Sequence, residues 1–357
     1  MPTALIHYFT GTGNSYHAAT LVERRLKDSG YSVQWQQVSR GTVPPSGSFD
    51  LHLFTFPVYA CDMPDIMARY LWRLPCGKGS KAAIISINGS LHATTRVPGA
   101  QGDPGWSFDH AGLILRLKGY KVILADAAPY PHNVTIGLPI PKVAEQDRIR
   151  ELADQRVDWL AEKLARGERS VRHNLLLAAL YVPFGLAYGL VGRHFFGKLY
   201  VADGKCNGCG TCVKSCPVGT VRLTAGRPGW DWRCQGCMRC INVCPRQAIN
   251  TSIPRLVLLA GLLLVPDAWI FTGISQAGIV FPPGMAGTIL SWAFALAVYL
   301  VLLYLADKAI FLLERVPIVR SIMAVNFNWW YRRYLDTGFR KELARSMKWQ
   351  ATLEDKP

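Results

Sequence analysis

Eight of the ten cysteines in this 357-residue chain fall in two short runs. The first reads Cys206-Asn-Gly-Cys209-Gly-Thr-Cys212-Val-Lys-Ser-Cys216-Pro217. The second reads Cys234-Gln-Gly-Cys237-Met-Arg-Cys240-Ile-Asn-Val-Cys244-Pro245. Each has the spacing C-x2-C-x2-C-x3-C-P, and thiolates so spaced suit iron–sulfur chemistry, three of them holding three irons of one cubane. Zinc and disulfides use the same residue type. Zinc usually takes its four ligands as two separated pairs, not as two runs of four with a trailing Cys-Pro. Gly208, Gly210 and Gly236 have no Cβ and let the backbone wrap closely around a cluster. Cys61 and Cys76 stand apart and read as buried or free thiols.

The paired runs resemble the bacterial two-cluster ferredoxins. In that pattern the cysteine before proline crosses to the other cluster. The resemblance therefore implies two [4Fe-4S] clusters, one on Cys206, Cys209, Cys212 and Cys244, the other on Cys234, Cys237, Cys240 and Cys216. Val218–Trp232, with a turn at Gly226-Arg-Pro-Gly229, fits a compact insert between the two halves.

A second constellation lies near the N-terminus. The apolar run Thr3–Phe9 ends in Thr10-Gly11-Thr12-Gly13-Asn14-Ser15, and helical periodicity follows over Tyr16–Leu26. Strand, Gly/Thr loop and helix together cradle a phosphate, because backbone N–H groups, hydroxyls and the helix N-terminus all face the anion. No Lys-Ser/Thr pair follows, so this is not a Walker A loop. Tyr16 stands where a third glycine would complete G-x-G-x-x-G. A bare Gly/Thr turn also serves as an ordinary connection.

The elements that must position this loop recur downstream. Apolar runs at Leu51–Phe56, Lys81–Ile87 and Lys121–Ala127 alternate with helical patterns at about Pro64–Trp72, Phe108–Lys118 and Val143–Arg166. That alternation predicts an α/β domain with a parallel sheet wound on both faces. Ligands on such sheets bind beyond the C-terminal strand ends. Pro57-Val58-Tyr59 and Asn88-Gly89-Ser90 both fall there.

Residues 3–165 thus resemble the flavodoxin family. The resemblance implies FMN, with Thr10, Gly11, Thr12, Gly13, Asn14 and Ser15 on its phosphate. Pro57, Val58 and Tyr59 would pack on the isoalloxazine, with Tyr59 as the stacking ring, although a half-buried loop tyrosine reads the same way. Asn88 and Gly89 would sit by the pyrimidine edge. A long loop from Leu91 to Trp106, carrying Arg96, Gly99, Gly102 and Asp103, departs from simple flavodoxins. No second strand–G-x-G-x-x-G–helix unit exists, so no nicotinamide cofactor is expected.

Residues 167–200 read as a linker. Arg166–His173 is charged, and the apolar run Asn174–Val191 is broken by Pro183, Gly185 and Gly189, so it is expected on a membrane surface or packed between domains. His173 and His194 read as surface or interfacial residues.

Half of the residues are hydrophobic, the net charge is +16 and the mean hydropathy is +0.13. Leu256–Ile274 and about Gly284–Ala306 are apolar enough for membrane spans, though Pro266 and Asp267 interrupt the first. Arg246 and Arg255 precede them, Lys308, Arg315 and Arg320 follow, and the loop Ser275–Pro283 is uncharged, which places both ends in the cytoplasm. No histidine follows His194, so the hairpin has no ligand pair for a b-type haem. Trp329-Trp330-Tyr331-Arg332-Arg333-Tyr334 with Arg340, Lys341 and Arg345 reads as an interfacial anchor, with lipid preferred over nucleic acid. The start at a strand without a signal peptide agrees with a cytoplasmic-membrane location, cofactors facing the cytoplasm.

The expected architecture is a flavodoxin-like domain (1–166), the linker (167–200), a small α+β two-cluster ferredoxin domain (201–253), a transmembrane helical hairpin (254–306) and a basic aromatic tail (307–357). That order resembles flavodoxin–ferredoxin fusions of the EFR1-family ferredoxin type. It implies a membrane-anchored protein relaying electrons between FMN, two [4Fe-4S] clusters and a redox protein partner. Two alternatives stay open: an FMN-dependent reductase acting directly on a quinone or other apolar substrate, and an iron–sulfur redox sensor or assembly factor.

Overall fold

A computed structural model describes residues 1–93, 103–136, 141–172, 175–263, 267–326 and 333–354. The first unit alternates strand and helix: β1 (Thr3–Tyr8), α1 (Asn14–Asp28), β2 (Ser32–Gln37), β3 (Leu51–Pro57), α2 (Asp65–Arg73), β4 (Lys81–Ser90), α3 (Ser107–Leu117), β5 (Lys121–Pro131) and α4 (Val143–Ala165). A two-residue strand β6 (Ser170–Val171) closes one edge. All pairings are parallel, in the order β2-β1-β3-β4-β5-β6. The first five strands follow the flavodoxin-like order, with its switch point between β1 and β3. β1, β3 and β4 are buried almost throughout, because α1 and α4 cover one sheet face and α2 and α3 the other.

Two strands escaped the apolar pattern. β2 reads Ser-Val-Gln-Trp-Gln-Gln with alternate exposure, as an edge strand does. β6 lies inside the segment read as a charged linker and pairs with Leu124 and Ala125.

The apolar run after it forms α5 (Leu175–Ala187), a π-helical turn (Tyr188–Gly192) and α6 (Arg193–Phe196). α5 packs on the flavodoxin-like unit: a Cβ on Gly185 would lie 2.8 Å from Trp106 Nε1 and 3.1 Å from Asp62 Cβ. Leu180, Phe184 and Leu190 are exposed.

The cysteine unit comprises β7 (Tyr200–Ala202), α7 (Thr211–Lys214), β8 (Val221–Thr224), β9 (Arg227–Trp230), α8 (Arg239–Val243) and β10 (Ile249–Thr251). β8 and β9 form a hairpin whose two turn residues, Ala225 and Gly226, have φ of 51° and 74°. That conformation matches the twist of the strands it joins. β7 pairs with β10 and brings both ends of the unit together.

The C-terminal part contains α9 (Ile253–Leu263), α10 (Asp267–Gln276), α11 (Met285–Leu313), α12 (Pro317–Met323) and α13 (Thr337–Glu354). Within the first apolar stretch the described residues 253–263 and 267–276 are helical, and residues 264–266 lie outside the described residues. Leu259 of α9 packs near Leu303 of α11, and Ile270 and Ile274 of α10 pack near Ala295. α11 is the one helix among the described residues long and apolar enough to cross a membrane. Pro266, the side chain of Asp267, Arg96, Gly99, Gly102, His173 and Trp329–Arg332 lie outside what is described.

Candidate flavin cavity and cysteine groups

The three loops singled out in the sequence meet at the C-terminal ends of β1, β3 and β4. Thr10, Gly11, Thr12, Asn14 and Ser15 line a cavity of about 200 Å³ together with Pro57, Val58, Tyr59, Asn88 and Gly89. Gly13 lies behind the loop and starts α1 with a φ of 112°, where a Cβ would sit 2.4 Å from Asp336 Cβ. The loop folds on itself through Gly13 N–H donating to Thr10 Oγ1 at 2.9 Å. Ser15 is fully buried, and its Oγ has no hydrogen-bond partner within the protein. α1 has no acidic residue in its first turn, and the Asp336 carboxylate packed behind Gly13 is paired with Arg150, which leaves the positive helix end for an anion. An orphan hydroxyl at a bare helix N-terminus fits a phosphate group. A Cβ at Gly89 would lie 2.8 Å from His132 Cβ, so glycine is what lets the β4 and β5 ends close on each other.

Several lining residues gave no sequence signal as flavin neighbours. Asn133 from the end of β5 donates to Thr12 Oγ1. Tyr188 comes from the π-helical turn and Phe196 from α6. Gly236 and Met238 come from the second cysteine run. The cysteine unit is thus part of the cavity wall. A Cβ at Gly11 would lie 2.3 Å from the Cys237 carbonyl oxygen, so the phosphate loop and the cysteine run are in backbone contact. Tyr59 sits at this seam, its hydroxyl 3.1 Å from the same Cβ position. Burial there, followed by the Cys237 and Tyr188 charges, pushes its phenol well above the ordinary range.

Arg239 locks the seam. It is 2% exposed. Its Nε donates to Gly11 O at 3.1 Å, its Nη1 to Ser215 O at 2.9 Å, and its Nη2 to Thr10 O. One guanidinium thereby ties the phosphate loop to both cysteine runs. Its position inside Cys237-Met-Arg-Cys240 was visible; its phosphate-loop partners Thr10 and Gly11, more than two hundred residues away, were not.

The cysteines fall into two groups. Cys206, Cys209, Cys212 and Cys244 line one small cavity with Gly208 and Gly210. Cys209 is exposed, whereas Cys234, Cys237 and Cys240 are all buried. Cys216 acts electrostatically on all three of the latter. Burial pushes Cys212 up to about 11 and raises Cys234, Cys237 and Cys240 as well. Ligation must therefore displace protons from these thiols. The donor set fits a cluster in the second group. Tyr200 OH is buried without a partner beside Cys234 and Cys240. Trp230 Nε1 completes no hydrogen bond but lies where it favours the Cys240 thiolate. Among the described residues no three His, Cys, Asp or Glu converge as a single-ion site; a cubane instead seats each thiolate on its own iron.

The sequence also drew attention to residues that take no part. His194 Nδ1 faces the Trp232 carbonyl. Asp103 accepts from Tyr181 OH at 3.1 Å. Arg333 and Tyr334, read as interfacial anchors, are engaged with protein instead. Arg333 donates to the carbonyls of Ile241, Gln247 and Ile249. Tyr334 N–H donates to Asn242 Oδ1 at 2.8 Å, and its hydroxyl donates to Asn14 Oδ1.

Residues 198–245 match the family described as 4Fe-4S dicluster domain. No curated protein matches the chain. Similar solved structures include the two-electron reduced flavodoxin of Megasphaera elsdenii, 22% identical, covering 43% of this chain and 98% of that one at a TM-score of 0.30. A short-chain flavodoxin associated with a non-canonical PDU bacterial microcompartment is 17% identical, covering 46% and 99% at a TM-score of 0.31. The strand order β2-β1-β3-β4-β5 is by itself that of a flavodoxin-like sheet. Sheet and cysteine unit together define a redox protein of the electron-transfer class. In it a flavodoxin-like domain is joined to an iron–sulfur domain of ferredoxin type.

Proposed function

We propose that this is a membrane-anchored electron-transfer protein that holds FMN in the switch-point cavity and a [4Fe-4S] cluster in each cysteine group. The observation that carries this reading is the shared wall: Gly236 and Met238 line the same cavity as the phosphate loop. Flavin supplies conversion between two-electron and one-electron transfer, and the clusters supply single-electron steps.

Thr10–Ser15 bind the phosphate, and Tyr59 stacks on the ring system. Arg239 fixes the second cysteine group against the phosphate loop. Cys234, Cys237, Cys240 and Cys216 form the inner station, beside the flavin. Cys206, Cys209, Cys212 and Cys244 form the outer one, where exposed Cys209 faces a redox protein partner. α11, with the shorter α9 and α10 packed along it, anchors the chain in the cytoplasmic membrane, cofactor domains inward. The reading includes no nicotinamide cofactor and no nucleic acid, and it places the chain with the fusions of the EFR1-family type.

Flavin and iron analysis of the purified full-length protein tests this, followed by stepwise reduction monitored by EPR. About eight irons per chain, bound FMN and two reducible clusters are expected. Protein purified intact without flavin, or with clusters that take no electrons from it, would overturn the reading.

A further inference from the structure

A second cavity, of about 290 Å³, lies between the cysteine unit and α11, and nothing described so far uses it. Trp230, Trp232, Tyr304 and Phe311 contribute flat walls. Lys198, Arg255, Asp307 and Glu314 also line it, none more than 6% exposed. They are paired two against two. Lys198 Nζ is 2.8 Å from Asp307 Oδ2, Arg255 Nη1 is 3.4 Å from Asp307 Oδ1, and Arg255 Nε is 2.7 Å from Glu314 Oε1. These charges cancel, so the buried part of the wall selects neither an anion nor a cation. At the rim Arg222 and Lys308 are set against Asp231.

The wall still offers a donor. The Lys198 ammonium gives one N–H to Trp230 O at 2.7 Å and one to Asp307. A third remains, since an ammonium carries three. The group sits 4.7 Å from the centre of the Trp232 ring.

Two further facts narrow the occupant. The cavity abuts the second cysteine group. Gly197 lines it, and a Cβ there would fall 2.5 Å from Cys234 Cβ and 3.2 Å from its Sγ. Trp230 packs among Cys234 and Cys240. α11 also supplies one side of the cavity, and there Tyr304 is 48% exposed among exposed apolar side chains.

We propose that this cavity binds the headgroup of a lipid-soluble quinone, with its tail leaving along α11. The occupant is neutral because the buried charges are already paired. It is flat because the walls are aromatic. It carries carbonyl acceptors for the Lys198 ammonium, and it is lipid-soluble because the mouth adjoins α11. The inference rests on the membrane placement proposed above.

The test is photolabelling of the full-length holoprotein in nanodiscs with a short-chain azidoquinone, mapped by mass spectrometry and competed with decylubiquinone. Label is expected within residues 222–232 and 304–311. Lys198 variants risk misfolding because they leave the buried Asp307 with only the longer Arg255 contact, so two milder ones are used. Y304A removes a wall. G229L fills the mouth, since a Cβ there already lies 3.3 Å from the Phe311 ring. Each should cut labelling roughly tenfold, as losing about 1.4 kcal/mol of binding does. Labelling unchanged by both variants, labelling at the flavin cavity instead, or competition by phosphatidylglycerol but not by decylubiquinone would overturn the proposal. Iron, flavin and EPR measurements on the same sample separate the two readings. Protein that keeps its cofactors but is not labelled sinks this inference alone. Labelled protein without cofactors sinks the electron-transfer reading alone.

Discussion

Ser15 at the start of α1 and His52 in β3 are both buried polar residues of the flavodoxin-like unit, and they carry opposite expectations. Ser15 Oγ is an unfulfilled group, which in the proposed reading the FMN phosphate completes. Ser15→Ala should weaken FMN binding to the apoprotein about tenfold or more, since a hydrogen bond to a charged group contributes about 1.5–3 kcal/mol. A fluorescence titration reads this, and an unchanged Kd would remove Ser15 from the phosphate site. His52 is already fulfilled. Its Nδ1 lies 3.0 Å from His7 Nε2, and His7 Nδ1 lies 2.7 Å from Tyr70 OH. Burial pulls His52 down to about 4 and His7 well below its ordinary value. Both are neutral in the fold, while the unfolded chain takes up protons below about pH 6.5. Their contribution is therefore complete above pH 6.5 and lost as the pH falls toward 4. For His52 it is roughly 3 kcal/mol. Thermal melts of the wild type between pH 7 and 4 should show this loss, and H52Q should flatten it; an identical slope in H52Q would refute the assignment.

At the scale of elements, the C-terminal segment is the main departure from expectation. Residues 333–354 return across the cysteine unit and close on the back of the phosphate loop. Asp336 N–H donates to Thr12 O at 2.9 Å. Phe339 is 1% exposed and packs against Tyr16, with the Arg239 guanidinium 5.1 Å from its ring. Phe339→Ala should loosen loop and guanidinium together. A buried Phe→Ala change costs about 3–5 kcal/mol, so FMN affinity should fall at least tenfold while α11 remains intact. Equal affinity in the variant would mean that the segment only covers the loop. None of this was legible in the aromatic and basic composition of the tail, because interfacial lipid and a protein groove select the same side chains. The buried strands β1, β3, β4 and β5 were legible because both faces demand apolar residues. β2 was not, since an edge strand needs few.

At the scale of the molecule, the proposed membrane placement rests on α11. Its apolar window is only 11% buried by the rest of the protein, and Leu296 and Leu300 are 59% and 56% exposed. In water, replacing exposed leucines by lysine costs almost nothing. In a bilayer each lysine costs about 2.5–3.5 kcal/mol near the helix centre. The double variant L296K/L300K should therefore move from the carbonate-resistant membrane fraction to the soluble or aggregated fraction. Retention equal to wild type would argue that α11 is not a span. The paired Lys198, Arg255, Asp307 and Glu314 join this helix to the cysteine unit. Asp307→Ala should destabilise that junction by about 3–5 kcal/mol, because it leaves a buried lysine uncompensated; limited proteolysis between α11 and β9 would report it.

The sequence alone determined the chemistry that spacing encodes. Thiolates two and three residues apart, and a Gly/Thr loop between strand and helix, are local patterns, so their geometry is written in neighbouring residues. The parallel sheet was equally readable from alternating apolar runs. Only the tertiary structure decided which cysteine group faces the flavin cavity, that Arg239 holds the phosphate loop, and that the tail folds back onto it. Those contacts join residues far apart in the chain, and each is made by a side chain or glycine whose type suits many other settings. Local periodicity constrains an element; it does not say which other element will bury it.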